Sequence, residues 1–179
     1  MAYFSGSQTI GILGGGQLGK MLLTTTRQWD INTKVMDPSP DAPSKIACNT
    51  FVTGDLMDYE SVVAFGKDVD ILTIEIENVN ADALAALEKK GVKVYPQARV
   101  LKTIQNKCNQ KEFYKKHQIP TAPFQLFKSK NSLKDALALG LVSFPFVWKS
   151  ETMGYDGYGV KILRSNKDLE NINGGACIT

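Results

Sequence analysis

The chain is poor in the residues that build metal centres, disulfide frameworks and membrane spans. Its 179 residues include three cysteines and one histidine. Cys48, Cys108 and Cys177 lie far apart, so they predict neither a zinc-type pair nor an even disulfide set, and we expect reduced thiols in a cytoplasmic protein. Apolar runs stay well short of the ~20 residues of a transmembrane helix. The first residues also lack the basic-then-apolar pattern of a signal peptide, so we expect no membrane partner.

Long stretches of one charge are also missing. The net charge is +3, with 22% charged and 43% hydrophobic residues, which is an ordinary globular composition. No Lys/Arg run is long enough to predict a nucleic-acid surface. The basic stretch at 107–116 alternates with apolar residues at helical spacing, so we expect most of its lysines to line a solvated helix face.

What the sequence does contain, up to Pro96, is an alternation of short apolar strands with helices. Strands are predicted at 9–13, 33–36, 51–52, 69–76 and 92–94, and helices after the turn at 14–19, at 58–67 and at 81–90. Strands and helices that alternate over short links predict a parallel sheet with helices on both faces. We therefore expect an α/β fold with a Rossmann-like domain over residues 1–96.

After Pro96 the pattern changes. Leu101, Ile104 and Cys108 would share one face of a long helix that runs to His117, and the proline-containing segment 119–123 then breaks it. The second domain, 97–179, is predicted as this linker helix followed by a strand, a helix, a strand, a glycine-rich flap and a strand. The chain closes on a segment that is typical of the start of another strand.

The flap is the most informative part of this second domain. Lys149 ends an apolar run at 144–148, and glycines at 154, 157 and 159 precede a second apolar run at 160–163. Glycine lets the backbone approach phosphate oxygens, and successive N–H groups can bind an anion. Two strands, a glycine loop and a cation therefore suit a cover for a nucleotide. An ordinary hairpin loop is the alternative interpretation.

A second glycine-rich segment, Gly14 to Gly19, has the G-x-G-x-x-G spacing after a strand, and Asp37 ends the next strand. That pattern is typical of dinucleotide binding. The pattern is not specific for dinucleotides, because a helix N-terminus at the carboxyl edge of a sheet favours any anion. Nicotinamide dinucleotide binding, binding of another phosphorylated ligand and tight packing without a ligand all stay open.

Glu75 and Glu77 mark the carboxyl end of a central strand. In an extended strand they would fall on one side, where they could hold sugar hydroxyls or a substrate amine. A solvent-facing strand end with two charges is the alternative.

Taken in order, these segments resemble the N-terminal part of the N5-carboxyaminoimidazole ribonucleotide synthases, also called the ATPase subunit of phosphoribosylaminoimidazole carboxylase, in the ATP-grasp superfamily. The matching segments are collinear, at 12–21, 75–79, 110–111, 119–124 and 154–157. The resemblance implies ATP-dependent carboxylation of aminoimidazole ribonucleotide with bicarbonate in purine biosynthesis. It also implies ATP and Mg²⁺ as cofactors, a homodimer for the full-length family, and a pre-ATP-grasp domain followed by an incomplete first lobe of an ATP-grasp domain.

The resemblance further implies roles for individual residues. The ribonucleotide substrate would meet Gly16, Gln17, Leu18 and Glu75, and we expect its phosphate, rather than NAD, at the glycine turn. ATP would meet Lys107, Lys149, Gly154, Tyr155, Asp156, Gly157, Tyr158 and Gly159. Tyr155 and Asp156 would face the reaction centre as catalytic residues, with Asp156 accepting or orienting a proton.

Two departures from the family pattern limit this interpretation. Family members commonly carry Lys or Arg, then Gly-Gln, where this chain has Tyr158, Gly159 and Val160, so one loop cation is missing. The magnesium ligands are expected in the second lobe, which these 179 residues do not include, and we expect the chain alone not to turn over ATP. The alternatives are a sister ATP-grasp ligase of the formate-dependent transformylase or biotin carboxylase type, a non-catalytic nucleotide-binding module, and an NAD-binding oxidoreductase.

Overall fold

The protein consists of two compact units, Met1–Lys102 and Thr103–Thr179. The computed structural model describes residues 5–152, 154, 159–172 and 176–178. None of the helices in these described residues is both long and apolar enough to cross a membrane.

The first unit is built on a parallel sheet of five strands in the order β3-β2-β1-β4-β5. This confirms the Rossmann-like fold expected from the alternation of strands and helices. The strands are β1 Thr9–Leu13, β2 Asn32–Asp37, β3 Thr50–Thr53, β4 Ile71–Ile74 and β5 Lys93–Tyr95. The helices are α1 Gln17–Gln28, α2 Tyr59–Gly66 and α3 Ala81–Lys89, with 3-10 helices at Ser5–Ser7 and Pro43–Ile46, and α4 Ala98–Gln105 begins in this unit and ends in the second.

Alternation along the central strands gives this sheet two buried faces. Ile12 of β1 belongs to a cluster with Leu23 of α1. The next residue, Leu13, belongs to a different cluster that includes Leu84 of α3. Successive side chains of a strand point to opposite faces, so α1 covers one face and α2 and α3 cover the other. Apolar strands buried on both faces are typical of parallel sheets.

Polar caps fix where the helices of this layer begin. Asp58 accepts a hydrogen bond from the Ser61 N–H at the start of α2, and Asn80 accepts one from the Ala83 N–H at the start of α3. Such caps satisfy N–H groups that have no partner within the helix. Gly91, with a φ of 92°, ends α3, as its position in the sequence predicts.

The second unit is built on a four-stranded antiparallel sheet in the order β6-β9-β7-β8. Its elements are α5 Lys107–Lys116, β6 Gln125–Phe127, α6 Lys130–Ala138, β7 Phe146–Ser150, β8 Val160–Leu163, a 3-10 helix at Asp168–Asn171 and β9 Ala176–Ile178. The strand predicted near residue 178 is therefore present. One face of the sheet packs Phe146, Trp148 and Leu163 against Leu133 of α6 and Leu169 of the 3-10 helix.

The long helix predicted through residues 101–117 is wrong, because it is two helices. Asn106, which separates α4 from α5, has extended backbone angles. Its side-chain oxygen accepts a hydrogen bond from the Asn109 N–H at 2.9 Å, which is the geometry of an N-cap. Ile104 and Cys108 therefore lie on different helices and not on one shared face.

Lys111 is an exception to the solvated face expected for α5, since it is only 8% exposed. Its ammonium donates to the Thr121 hydroxyl at 2.6 Å and to the Ala122 carbonyl at 3.5 Å. It also lies 5.4 Å from the centre of the Phe124 ring, a cation–π arrangement. These contacts of the buried ammonium hold residues 121–124 against α5.

Candidate functional site

The glycine turn between β1 and α1 is held mainly by backbone contacts. The Gly14 N–H donates to the Met36 carbonyl at 2.9 Å, and the Ser44 N–H donates to the Gly15 carbonyl at 2.9 Å. Gly14 has a φ of 98°, a conformation that favours glycine. The turn therefore places the N-terminus of α1 at the carboxyl edge of the sheet, as the sequence predicts.

Glu75 lies directly against this turn. Its N–H donates to the Leu13 carbonyl at 2.7 Å, and its Oε1 accepts from the Gly19 N–H at 3.4 Å. A Cβ added at Gly14 would lie 2.7 Å from Oε2, and one added at Gly16 would lie 2.8 Å from Oε1. A side chain at Gly16 would therefore displace the half-buried Glu75 carboxylate, and one at Gly14 would in addition meet Ile76 and adopt a strained backbone conformation.

A second carboxylate, that of Asp37, completes the lining of the turn. Its Oδ2 accepts from the Gly15 N–H at 2.7 Å, and its Oδ1 accepts from the Ser39 N–H at 2.8 Å. The partial positive charge at the start of α1 favours a negative group there, and Glu75 supplies one from within the chain. An ionised carboxylate can only accept hydrogen bonds, so the turn is suited to a ligand group that donates them.

The route by which Glu75 reaches the turn differs from the one expected. Strand β4 ends at Ile74, and residues 75–77 form a bend. The Val79 N–H returns to the Glu77 carbonyl at 3.0 Å. The prediction that strand alternation places Glu75 and Glu77 on one side is therefore wrong, since the chain has already left the strand. Of the other predicted substrate residues, Gly16 is the N-cap of α1, and Gln17 and Leu18 are exposed in its first turn.

In the second unit, Lys149 lies on the face of the sheet opposite the core formed with α6. Its cross-strand partner is Val160, and that of Val147 is Ile162. Directly opposed residues share a face, and Val160 and Ile162 are 44% and 53% exposed. Lys149 is therefore a cation beside an exposed apolar surface, a combination that can hold a flat apolar ring together with an anionic group.

The N-terminus of α5 lies beside the end of β7. The Lys107 N–H donates to the Glu151 carbonyl at 2.7 Å, and the Asn106 Nδ2 donates to the Glu151 Oε1 at 2.9 Å. The backbone of Lys107 thus lies at the end of β7, the strand that carries Lys149, the other cation predicted to bind ATP.

The ends of the flap converge at Ser150, whose N–H donates to the Gly159 carbonyl at 2.8 Å. Gly159 has a φ of 69°, and a Cβ added to it would collide with the Ser150 hydroxyl, which is buried and has no hydrogen-bond partner among the described residues. Gly154 is half-buried beside it. The predicted site residues Tyr155, Asp156, Gly157 and Tyr158 lie outside the described residues.

Sequence reasoning missed Asn106 and Glu151. A cap signal was available for Asn106, because asparagine is favoured at helix starts, but the apolar spacing across it predicted one continuous helix. Nothing local marks Glu151, since its partner lies 45 residues away. Across the part of the chain that the structure describes, no group of three His, Cys, Asp or Glu side chains is arranged to hold a metal ion.

Comparisons with known proteins match both units. The family model of the ribonucleotide synthetase preATP-grasp domain matches residues 7–105, and that of the ATP-grasp domain matches residues 112–176. The chain is 38% identical over 170 residues to a phosphoribosylaminoimidazole carboxylase of Candida glabrata, covering 92% of this chain and 29% of that protein.

Solved structures of carboxyaminoimidazole ribonucleotide synthases are also similar to this chain. The carboxyaminoimidazole ribonucleotide synthase of Aspergillus clavatus complexed with ATP superposes with a TM-score of 0.87 at 32% identity, over 97% of this chain and 47% of that one. The N5-carboxyaminoimidazole synthase of the same organism, in complex with ADP and 5-aminoimidazole ribonucleotide, gives 0.82 at 30% identity, over 97% and 46%. The chain thus spans less than half the length of each of these relatives. It belongs to the ribonucleotide synthetase preATP-grasp family and joins that domain to part of an ATP-grasp domain.

Proposed function

We propose that this chain is the N-terminal part of an N5-carboxyaminoimidazole ribonucleotide synthase, an ATP-dependent ligase of purine biosynthesis. The first unit would bind the aminoimidazole ribonucleotide and the second would bind part of ATP. The observation that carries the proposal is the Glu75 carboxylate seated on the glycine turn. It marks a site for a hydrogen-bond donor, and the ribonucleotide in the complex of one relative is a candidate ligand that carries such donors.

The lining of the turn indicates which part of the ribonucleotide meets it. Asp37 and Glu75 accept hydrogen bonds, and they already engage the N–H groups of Gly15 and Gly19. A phosphate group would face two like charges there, which is unfavourable, so we do not place the ribonucleotide phosphate at this turn, where the sequence led us to expect it. Ribose hydroxyls and the aromatic amine donate hydrogen bonds, so we place one of these groups against Glu75, beside Gly16, Gln17 and Leu18. The same argument disfavours the pyrophosphate of NAD at this turn.

The second unit offers cations and an exposed apolar surface, whereas the turn of the first unit offers carboxylates. Lys149 emerges from an exposed apolar sheet face, and the start of α5 holds Lys107 near the same strand end. A purine base can cover apolar side chains while the two ammonium groups attract the phosphates. Gly154, Gly157 and Gly159 would let the flap approach those phosphates closely. Tyr158 supplies no cation, so we assign the charge neutralisation in this unit to Lys107 and Lys149.

The proposed reaction begins with phosphoryl transfer from ATP to bicarbonate. A bicarbonate oxygen attacks the γ-phosphorus of ATP, the bond to the β-phosphate oxygen breaks, and ADP leaves. The resulting carboxyphosphate releases phosphate and CO2 beside the ribonucleotide. The amine nitrogen then attacks CO2 and loses a proton, giving the N5-carboxyamino product. We propose Asp156 as the group that accepts or orients that proton, with Tyr155 facing the same centre. Catalysis of this kind depends mainly on positioning and charge neutralisation.

Magnesium is the metal that this chemistry implies, since it neutralises charge on a transferred phosphoryl group. The described residues contain no cluster of carboxylate, imidazole or thiol groups arranged to hold it. We therefore assign no magnesium ligand within this part of the chain and derive no step through the ion. We further propose that the full-length enzyme is a homodimer and acts in the cytoplasm.

Both sites can be tested by titrating the folded chain and monitoring amide chemical shifts by NMR. The shifts report each site separately, and dissociation constants in the millimolar range can be measured. Aminoimidazole ribonucleotide should shift the amides of Gly14 to Gly19, and Glu75→Gln should weaken its binding about three- to thirty-fold by removing a charge-assisted acceptor. ATP should shift the amides around Lys149, and Lys149→Ala should weaken it about ten- to hundred-fold.

Lys128→Ala is the matched control, because Lys128 is an exposed lysine of the same unit that the proposal does not use. Its ATP affinity should equal that of the unmodified chain. Saturable binding of NAD at micromolar concentration, with no response to the ribonucleotide, would overturn the synthase proposal. An ATP affinity that is the same in the Lys149→Ala and Lys128→Ala variants would remove Lys149 from the nucleotide site.

A further inference from the structure

Two hydrogen bonds join the start of α5 to the end of β7, and Asn106 makes one of them while also capping the helix. Its Oδ1 accepts from the Asn109 N–H at 2.9 Å, which caps the helix. Its Nδ2 donates to the Glu151 Oε1 at 2.9 Å, and the adjacent Lys107 N–H donates to the Glu151 carbonyl at 2.7 Å. All of these residues belong to the second unit.

The side-chain bond between Asn106 and Glu151 is not needed to start the helix. The cap uses the oxygen of the Asn106 amide, and serine or aspartate at this position would serve as well. The amide nitrogen is therefore available for a different purpose, which is to hold Glu151. Because Glu151 is two residues beyond Lys149, this bond supports the backbone bond from Lys107 to Glu151, which ties the start of α5 to the end of β7.

We propose that the Asn106–Glu151 pair is a positioning clamp that holds Lys107 and Lys149 at the separation needed to engage the phosphates of one nucleotide. This inference rests on the proposed function, since it assumes that both lysines meet ATP. Neither Asn106 nor Glu151 is proposed to contact the nucleotide. Their effect on binding passes through the two lysines.

Glu151 could affect ATP binding in two ways, through its charge or through its hydrogen bond to Asn106, and the two have opposite signs. A carboxylate near a triphosphate repels it, so Glu151 by its charge alone would weaken ATP binding. By its hydrogen bond to Asn106 it would strengthen binding, because two pre-positioned cations lose less conformational freedom when the ligand arrives. A variant that breaks the bond without changing the charge therefore separates the two explanations, because the clamp predicts weaker ATP binding and charge alone predicts no change.

Three variants make this separation. Asn106→Ser keeps a cap oxygen and the net charge but loses the donor to Glu151. Glu151→Gln keeps an acceptor for Asn106 but removes the charge. The double variant Asn106→Asp with Glu151→Gln exchanges donor and acceptor, so the bond can re-form in the opposite direction with the cap and the net charge preserved. All of these changes are close to isosteric or smaller, so none introduces a clash.

Two measurements are made on each variant of the full 179-residue chain. Hydrogen exchange of the Lys107 amide reports whether the junction is closed, independently of any ligand. NMR titration with ATP reports affinity. Asn106→Ser should lose exchange protection at Lys107 and bind ATP about three- to ten-fold more weakly, as expected for one hydrogen bond at a partly exposed position. Glu151→Gln should bind at least as tightly as the unmodified chain, and the double variant should recover both protection and affinity.

The outcomes separate the clamp from the proposed function. If the unmodified chain shows no ATP-dependent shifts while exchange at Lys107 follows the variants, the ATP site itself is wrong and the clamp is only a structural link, which overturns this inference too. If ATP binds but Asn106→Ser leaves its affinity unchanged, the proposed function stands and the clamp is wrong. If, in that case, Glu151→Gln tightens binding, Glu151 acts through its charge alone, and the clamp is again wrong.

Discussion

The two units differ in how their sheets are buried and in the charge of the groups at their candidate sites. In the first, the sheet is buried on both faces, and the helix N-terminus at its edge is already occupied by Glu75 of the same chain. In the second, α6 and the 3-10 helix cover one face, while Val160 and Ile162 on the other are exposed beside Lys149. The first site is therefore acidic and rigidly supported, and the second is basic and open.

This difference matches the chemistry expected of the two ligands. A carboxylate that is held by backbone N–H groups favours ligand groups that donate hydrogen bonds over phosphate, which it repels. Cations beside an exposed apolar face favour a nucleotide, whose base is apolar and whose phosphates are anionic. The comparison teaches that the glycine-rich sequences of the two units, although similar in composition, do not predict the same ligand group.

The largest expected effect concerns the separate cores of the two units. Leu72 of β4 and Leu133 of α6 are both fully buried, each in a different cluster. Leu→Ala at such a site costs about 2–5 kcal/mol, because apolar contacts are lost and a cavity remains. We expect Leu72→Ala to lower the stability of the first unit alone, and Leu133→Ala that of the second alone.

The stability of each unit can be measured separately because the two tryptophans differ in burial. Trp148 is buried in the second unit and Trp29 is exposed in the first. Trp148 fluorescence in a Trp29→Phe background should follow unfolding of the second unit, while far-ultraviolet circular dichroism follows both. Of the two units in the unmodified chain, we expect the second to unfold at the lower denaturant concentration. A single transition that both substitutions shift equally would show that the units unfold together, and the comparison would fail.

A smaller effect is expected at two glycines of the first unit that share a left-handed conformation. Gly14 and Gly91 have φ values of 98° and 92°. A Cβ at Gly91 would meet nothing within 4 Å, whereas one at Gly14 would lie 2.7 Å from Glu75 Oε2. Gly91→Ala should cost about 1–2 kcal/mol for the backbone conformation alone. Gly14→Ala should cost more and should also displace Glu75.

Ribonucleotide titration separates these two contributions. Gly91→Ala should leave the affinity unchanged, while Gly14→Ala should weaken binding about as much as Glu75→Gln does. Equal stability losses for the two glycine variants, with ribonucleotide affinity preserved in both, would show that the contact between the turn and Glu75 is unimportant.

Much of the fold could be predicted because its signals are local. The alternation of apolar strands with helices around residues 9–95 specifies a parallel sheet, and Gly91 and Asp58 mark helix ends through their own backbone and side-chain chemistry. The helix break at Asn106 was missed because the apolar spacing continues across it. Periodicity describes which face would be buried, but it does not report where a cap interrupts the chain.

The site was harder to predict because its contacts join distant segments. Glu75 meets Gly19 across 56 residues, and Asn106 meets Glu151 across 45. The sequence indicated that Glu75 stands at a strand end, but not that the strand stops at Ile74 and turns the carboxylate onto the glycines. Lys111 is similar, since its burial depends on Thr121 and on the ring of Phe124 and not on its own helix.

The smallest expected effect is the response of the two units to acid. In the second unit the Asp168 carboxylate accepts from the Arg164 N–H at 2.7 Å and from the Ser165 N–H at 3.0 Å, and the bond from Arg164 contributes most to holding the pKa of Asp168 below its ordinary value. Nearby, a hydrogen bond from Lys134 and the charge of Lys130 lower the pKa of Glu170. In the first unit, hydrogen bonds from Ser61 lower the pKa of Asp58.

A folded-state pKa below the unfolded value stabilises the protein at pH values above the unfolded pKa, which is about 3.9 for Asp and 4.3 for Glu. That contribution is lost as the pH falls through the folded pKa. Each unit should therefore lose stability below about pH 4. Asp168→Asn should remove part of that dependence from the second unit and leave the first unchanged, and Asp58→Asn, which retains a cap, should do the reverse. Denaturant midpoints measured by Trp148 fluorescence and by circular dichroism at neutral and acidic pH give the comparison. An acid response of the second unit that is identical with and without Asp168 would show that its hydrogen bonds to Arg164 and Ser165 do not contribute to stability.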